Sequence, residues 1–175
     1  METTKPPGID IKRHADLAGR LHHPRWRRFA LAVITAVPVI ALFNVFGQRT
    51  LSSRADSPRA SLLVKSPSHV RGGLIFTTEI AVTPHRKIRN AEIYFSNGWF
   101  KNMTFNAVSP QPSTDSAQGN WQIWDFGPLK AGQLFTVLIS WQTNPTNVGS
   151  HPETIQLYDG KKHVMSIHRS LLVFP

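Results

Sequence analysis

The chain has 175 residues, a net charge of +10, a pI of about 10.7 and no cysteine. The lack of cysteine excludes disulfides, thiolate metal centres and a cysteine nucleophile, and the length allows one ordinary domain or a smaller one with appendages. Thirteen prolines and 11 glycines, with only 17% charged residues, favour short strands and turns over long helices.

The first 23 residues are polar, with Pro6 and Pro7 near the start, and read as a disordered tail apart from a short amphipathic helix around Ile11–Leu21. The stretch "PRWRRFALAVITAVPVIALFNVFGQR" follows. Its uncharged run, Phe29 to Gly47, contains only Thr35 and Asn44 as polar side chains. At about 1.5 Å per residue it reaches roughly 28 Å, close to the hydrocarbon thickness of a bilayer. A soluble amphipathic helix would carry polar residues every three or four positions. A cleaved signal would end on small side chains, whereas this run ends on "FNVFG". The expectation is an uncleaved transmembrane helix over 29–47, kinked at Pro38.

Arg25, Arg27 and Arg28, with Trp26 among them, abut the span and are expected to lie at the membrane interface. Their bias places the N-terminus in the cytoplasm and the rest outside. Residues 1–28 hold seven Lys/Arg against three Asp/Glu, and residues 48–175 hold thirteen against seven. The basic charge is thus divided between two compartments, the tail resting against anionic headgroups. Neither part carries a nucleic-acid fingerprint, so nucleic acid is not expected as a partner. The outer charge is read as a solvated surface, with attraction to anionic wall polymers as the other option.

"QRTLSSRADSPRA" is poor in apolar residues and reads as a tether over 48–60. From there β-branched and aromatic runs alternate with turn signals. "SLLVKSP" is strand-like and "HVRGG" turns. "LIFTTEIAVTP" sets Leu74, Phe76, Ile80 and Val82 on one face, and "AEIYFS" points Ile93 and Phe95 inward. The Asn97-Gly98 step signals a hairpin or tight loop before a further strand. "NWQIWDF" continues the alternation, and "LFTVLISWQT" aligns Phe135, Val137, Ile139 and Trp141. A long loop, "NPTNVGSHPE", leads to "TIQLY", and "DGKK" turns into "HVMSIHRSLLVF", where Met165, Ile167, Leu171 and Val173 share a face. About seven strands with one apolar face each predict an antiparallel β-sandwich over 61–175.

"WDFGPLKAGQLFTVLISW" resembles the penultimate hairpin of immunoglobulin-like domains of bacterial cell surfaces, and "LLVKSPSHVRGGLIFTTEIAV" is similar to their first two strands. The resemblance implies an immunoglobulin-like sandwich without the Cys-Trp-Cys arrangement. The whole layout, with its basic tail, span, tether and sandwich, resembles small uncharacterised single-pass membrane proteins of actinobacteria. That resemblance implies a bacterial plasma membrane and no activity.

No strong chemical motif appears. Gly-x-Ser-x-Gly, His-Glu-x-x-His and Gly-rich phosphate loops are missing. The seven acids after the span are scattered, and most read as turn or strand-exterior residues. His163 and His168, five apart, face opposite sides of an ideal strand and make a poor chelate, so no metal or other cofactor is expected. Trp141 reads as core, and Trp121 and Trp124 as one outward and one inward. Trp99 and Phe100, beside the Asn-Gly turn, are the expected exposed contact pair.

The expected function is that of a membrane-anchored extracytoplasmic interaction domain. It is non-catalytic and serves as an accessory or docking subunit whose partners are the lipid bilayer and another membrane or envelope protein. A polysaccharide-binding module and an envelope enzyme are the competing readings. The first requires exposed aromatics in a groove and the second converging polar groups in a pocket.

Overall fold

The computed structural model describes residues 24–42 and 48–175. The tail before residue 24, with its expected short helix, and residues 43–47 at the end of the expected span lie outside the described residues. The chain divides into two units, Met1–Val45 and Phe46–Pro175.

Among the described residues the first unit contains one helix, α1 (Pro24–Leu42), with Pro38 inside it. Three arginines occupy its first five residues, so its uncharged portion, Phe29–Leu42, spans about 21 Å. No helix among the described residues is long and apolar enough to cross a membrane.

The second unit is all-β and mostly antiparallel. Its strands are β1 (Thr50–Asp56), β2 (Ala60–Pro67), β3 (His69–Arg71), β4 (Ile75–Pro84), β5 (Ala91–Ser96), β6 (Met103–Ser109), β7 (Thr114–Gln118), β8 (Trp121–Asp125), β9 (Phe135–Thr143), β10 (Gly149–Asp159) and β11 (Lys162–Phe174). One sheet has the order β1-β2-β4-β9-β6 and the other β3-β11-β10-β5-β8-β7. Only the β3–β11 pair is parallel.

The period-2 alternation explains the packing. Leu62, Val64, Phe76, Ile80, Val82, Val137, Ile139 and Trp141 line the inner face of the first sheet. Ile93, Phe95, Trp124, Ile155, Leu157, Met165, Ile167, Leu171 and Val173 line that of the second. These side chains form one continuous core. Burying a side chain of this size contributes about 1.5–3 kcal/mol, so the two sheets are held mainly by this shared interior. Thr78 is buried in the same layer, where its hydroxyl donates to Ser66 Oγ at 2.9 Å. Leu74, expected on that face, instead precedes β4 and is exposed.

Three expectations need correction. The stretch 48–60 is not a free tether, because β1 occupies Thr50–Asp56 and pairs along its whole length with β2, from Thr50↔Pro67 to Asp56↔Ser61. The sandwich therefore begins at residue 50 rather than 61. The strands are more numerous than seven. β1, β3 and β7 were hidden because they lie at sheet edges, where backbone pairing rather than an apolar face supports them. Lastly, the loop after β9 ends at Val148, and β10 already includes "SHPE".

The Asn97-Gly98 step forms a 3-10 turn, Asn97–Trp99, that carries the chain from one sheet to the other rather than closing a hairpin. Gly98 presses against the β10 backbone, and a Cβ there would lie 1.8 Å from the Pro152 carbonyl oxygen. Gly119, in the β7–β8 turn, has φ of 58° but open space around it. Gly98→Ala is expected to lower unfolding free energy by more than about 2 kcal/mol. Gly119→Ala should cost only about 1 kcal/mol of backbone strain. Denaturant unfolding followed by tryptophan fluorescence measures both, and similar losses would refute the close-approach assignment.

Candidate functional site

The expected contact pair is not exposed. Trp99 is fully buried, set edge-on to Phe95 at 6.1 Å and tilted against Trp141 at 5.8 Å between ring centroids. Phe100 is half-buried and packs on Phe95, Trp124 and Trp141. Because the turn passes between sheets with Gly98 against β10, its next residue swings into the interior. Trp99 is thus a core residue, and no contact site forms there. As expected, Trp141 and Trp124 are buried, while Trp121 lies on the outer face of its strand.

What Trp99 covers is a glutamate–arginine pair hidden in the core. Glu153 on β10 and Arg169 on β11 are cross-strand partners with both side chains on the inner face. Their Oε2 and Nε atoms lie 3.1 Å apart, with side-chain exposures of 0% and 6%. The contact is close but lacks hydrogen-bond alignment, and Trp99 Nε1 and Glu153 Oε1 have no hydrogen-bond partner among the described residues. The Arg169 guanidinium lies 5.6 Å from the Trp99 ring centroid, and its Nη2 donates to the Ser66 and Pro67 carbonyls at the end of β2. Arg169 therefore ties the second sheet to the first. Burial pushes the Glu153 carboxyl up to about 8, and Arg169 only partly opposes this. Burial likewise lowers the arginine, against the pull of Glu153. The Glu153 carboxyl does not reach solvent and Arg169 scarcely does, so the pair offers little to a substrate. Its sequence signal is the placement of charges in phase with apolar faces: Glu153 before Ile155 and Leu157, and Arg169 between Ile167 and Leu171.

A groove of about 470 Å³ lies beside this cluster, bordered by Asn97, Lys101, Asn147, Ser150, His151 and Pro152. His151 is buried with Nε2 unpartnered among the described residues. Asn147 is also buried, but its side chain is spent on the Asn102 carbonyl.

The opposite end of the sandwich has a different character. Arg59 in the β1–β2 turn, Arg86, Lys87 and Arg89 in the β4–β5 loop, and Lys162 after the β10–β11 turn surround a pocket of about 510 Å³. Its one carboxylate, Asp159, is already engaged. Oδ2 pairs with Arg59 Nη1 at 3.1 Å, and Oδ1 accepts the backbone N–H groups of Arg89 at 2.8 Å and Asn90 at 3.3 Å. Ile88, buried between the basic residues, exchanges backbone hydrogen bonds with Leu129 and anchors the loop to the core. Among the described residues, Arg86, Lys87, Arg89 and Lys162 have no carboxylate at ion-pair distance. Individually these residues looked like solvated surface. Register brings them together, because β1, β4 and β10 all end at the same edge.

The outer face of the second sheet carries a short aromatic row. Tyr94 packs on Tyr158 at 4.3 Å and edge-on to Trp121 at 6.4 Å. Among the described residues no three His, Cys, Asp or Glu side chains gather closely enough to hold a metal ion. His163 instead contacts Ser166, and His168 contacts Thr154. The expected interfacial residues Arg25, Trp26, Arg27 and Arg28 occupy the first turns of α1, all exposed, with Trp26 edge-on to Phe29 at 6.1 Å.

No protein-family model matches the chain, and no curated protein matches it significantly. Among solved structures it is similar to a non-cellulosomal cohesin from Archaeoglobus fulgidus at 12% identity and a TM-score of 0.39, over 63% of this chain and 88% of that one. It is also similar to the CARDB domain of a Pyrococcus furiosus protein solved with two metal ions, at 12% identity and a TM-score of 0.41, over 68% and 97%. A Vibrio harveyi family 20 exo-β-N-acetylglucosaminidase is matched at 13% identity and a TM-score of 0.30, over 73% of this chain but only 18% of the enzyme. At these scores the likenesses assign no site.

The buried carboxyl makes a pH prediction. The folded chain holds the Glu153 proton up to about pH 8, whereas the unfolded chain releases it near the ordinary value of 4.5. The contribution of the protonated group is therefore complete below about pH 4 and is lost as pH rises through about 8. The thermal midpoint should fall between about pH 5 and pH 9, and Glu153→Gln should flatten that fall. A variant with the wild-type slope would show that another group sets it.

Proposed function

We propose that the chain is a single-pass envelope protein: residues 29–47 anchor it in the membrane with the N-terminus in the cytoplasm, and an immunoglobulin-like sandwich outside acts as a non-catalytic docking module. The observation that carries this reading is the bare apolar surface of α1. Phe29, Leu31, Val33, Ile34, Val37, Val39, Ile40 and Leu42 are all exposed, and at about 3.6 residues per turn they are spread around its whole circumference. A helix that is apolar on every side requires an apolar surrounding. Its one described interior hydroxyl, Thr35, donates to the Leu31 carbonyl at 2.8 Å, which satisfies it without water. The arginine cluster supports the orientation, and the layout's resemblance to actinobacterial single-pass proteins supports a bacterial plasma membrane.

A docking role suits a sandwich whose most evident internal polar pair, Glu153–Arg169, is sealed, and whose loops carry the accessible charge. Cohesin and CARDB names attach to two of the similar structures, but the reading stands on this chain's own surfaces. A second reading, polysaccharide binding, is favoured by the Trp121–Tyr94–Tyr158 row. Those rings pack on one another at an angle rather than forming one flat platform, so docking is preferred.

An alkaline phosphatase reporter fused after Pro175 should be active, because that enzyme matures only outside the cytoplasm. Replacing Arg25, Arg27 and Arg28 with glutamate should reduce its activity severalfold by weakening the orientation signal. A silent reporter on the unaltered chain, with the fusion present in membranes, would overturn the topology.

A further inference from the structure

We propose that the cationic end of the sandwich binds a base-free phosphodiester polymer, a chain of repeating polyol phosphates. The assignment rests on the docking role but not on the anchor. Three features of the pocket select this ligand.

The first is charge. Arg59, Arg86, Lys87, Arg89 and Lys162 converge on one pocket, and its only carboxylate, Asp159, is consumed in holding three loops together. Lys130, adjacent to the Leu129–Ile88 bridge, and Lys161, in the β10–β11 turn, extend the positive surface beyond the pocket. A single phosphate carries too few charges to answer so many cations, whereas a polymer supplies one per unit. Crowding like charges opposes folding, and here the backbone beneath them is pinned by Ile88 and Asp159. The cations are therefore held together in the absence of any ligand.

The second is what the pocket lacks. No apolar or aromatic side chain lines it. Protein interfaces draw their affinity from buried aromatic and aliphatic anchors, and single-stranded nucleic acids from bases stacked on aromatic rings. Neither kind of partner finds those anchors here, which leaves a ligand recognised by its backbone charge. The third is the number of arginines. Three of the five pocket cations are arginines, and two of them, Arg86 and Arg89, have no carboxylate partner among the described residues and present planar forks that match the paired free oxygens of a phosphodiester.

The test uses the full-length chain in a neutral detergent and fluorescent poly(glycerol phosphate) as the probe, with binding read by anisotropy. Saturable binding is expected, weakening steeply between about 50 mM and about 200 mM salt. The combined Arg86→Ala, Lys87→Ala and Arg89→Ala variant should lose at least about tenfold in affinity, and Lys87→Ala alone about threefold. Lys101→Ala, at the opposite end, should stay within about twofold. Unchanged tryptophan fluorescence in the triple variant verifies its fold, and the single variant serves if the triple one unfolds. Poly-L-glutamate of equal charge should compete at least about tenfold less well. Wild-type affinity in the single and any folded triple variant would overturn the site, equal competition by polyglutamate the phosphate preference, and tighter binding of oligothymidylate the base-free assignment. Lost binding with an active reporter at Pro175 removes the ligand and leaves the anchored docking module, whereas a silent reporter with intact binding does the reverse.

Discussion

A guanidinium placed between two β-sheets constrains everything near it. Arg169 is largely withdrawn from water, and the surrounding chain answers it only in part: Nη2 donates to two carbonyls at the end of β2 and Nε lies 3.1 Å from the Glu153 carboxyl on the neighbouring strand, while Nε and Nη1 have no hydrogen-bond partner among the described residues. Those partners belong to both sheets, so the arginine sets their separation and offset at this end of the sandwich. Trp99 lies over the group and excludes water, and it can do so only because Gly98 lets the preceding turn reach β10. A buried charge pair of this kind seldom adds net stability over well-packed apolar side chains, because desolvation consumes the Coulomb attraction. Its effect is selective: arrangements of the sheets that leave either group unanswered are heavily penalised. The poor alignment of Nε with Oε2, together with the raised carboxyl, shows that the pair tolerates its surroundings more than it profits from them.

The two ends of the sandwich thus solve opposite electrostatic problems. At the Arg169 end, one cation is withdrawn from water and held by groups inside the protein. At the far end, cations remain in water and repel one another, and a single carboxylate fastens the loops that carry them. Asp159 is the counterpart of Glu153, since each is spent on architecture. The difference in solvent decides which end is available to a partner, because a charge already answered inside the protein has nothing left to offer outside.

The central strands were legible because two physical signals coincide there, alternation of side chains and a requirement to bury one face. Val137, Ile139 and Trp141 on β9, and Met165, Ile167, Leu171 and Val173 on β11, fall where the pattern places them. Edge strands satisfy only the backbone, so "TLSSRAD" and "TDSAQ" look like loop sequence although they pair along their whole length. Trp99 departs from the expectation because the Asn-Gly step, a surface-turn signal, here lies where the chain crosses between the sheets. Glu153 falls among the scattered acids and Arg169 is not singled out by any motif, although each keeps the phase of an apolar face. The cationic pocket was beyond reach for a different reason. Its members are separated by up to about a hundred positions, and only strand register brings them together.

The four free edges of the two sheets are each blunted in a different way. β1 carries the Arg54–Asp56 pair, β3 has three residues, β6 is broken by a register shift between Phe105 and Ala107, and β7 is exposed throughout and polar except at Ala117. Copies confined side by side in one plane would meet repeatedly in similar orientations, the situation in which unprotected strands fuse into continuous sheets. Among the described residues no such seam is offered, so crowding on a surface would not by itself join copies edge to edge.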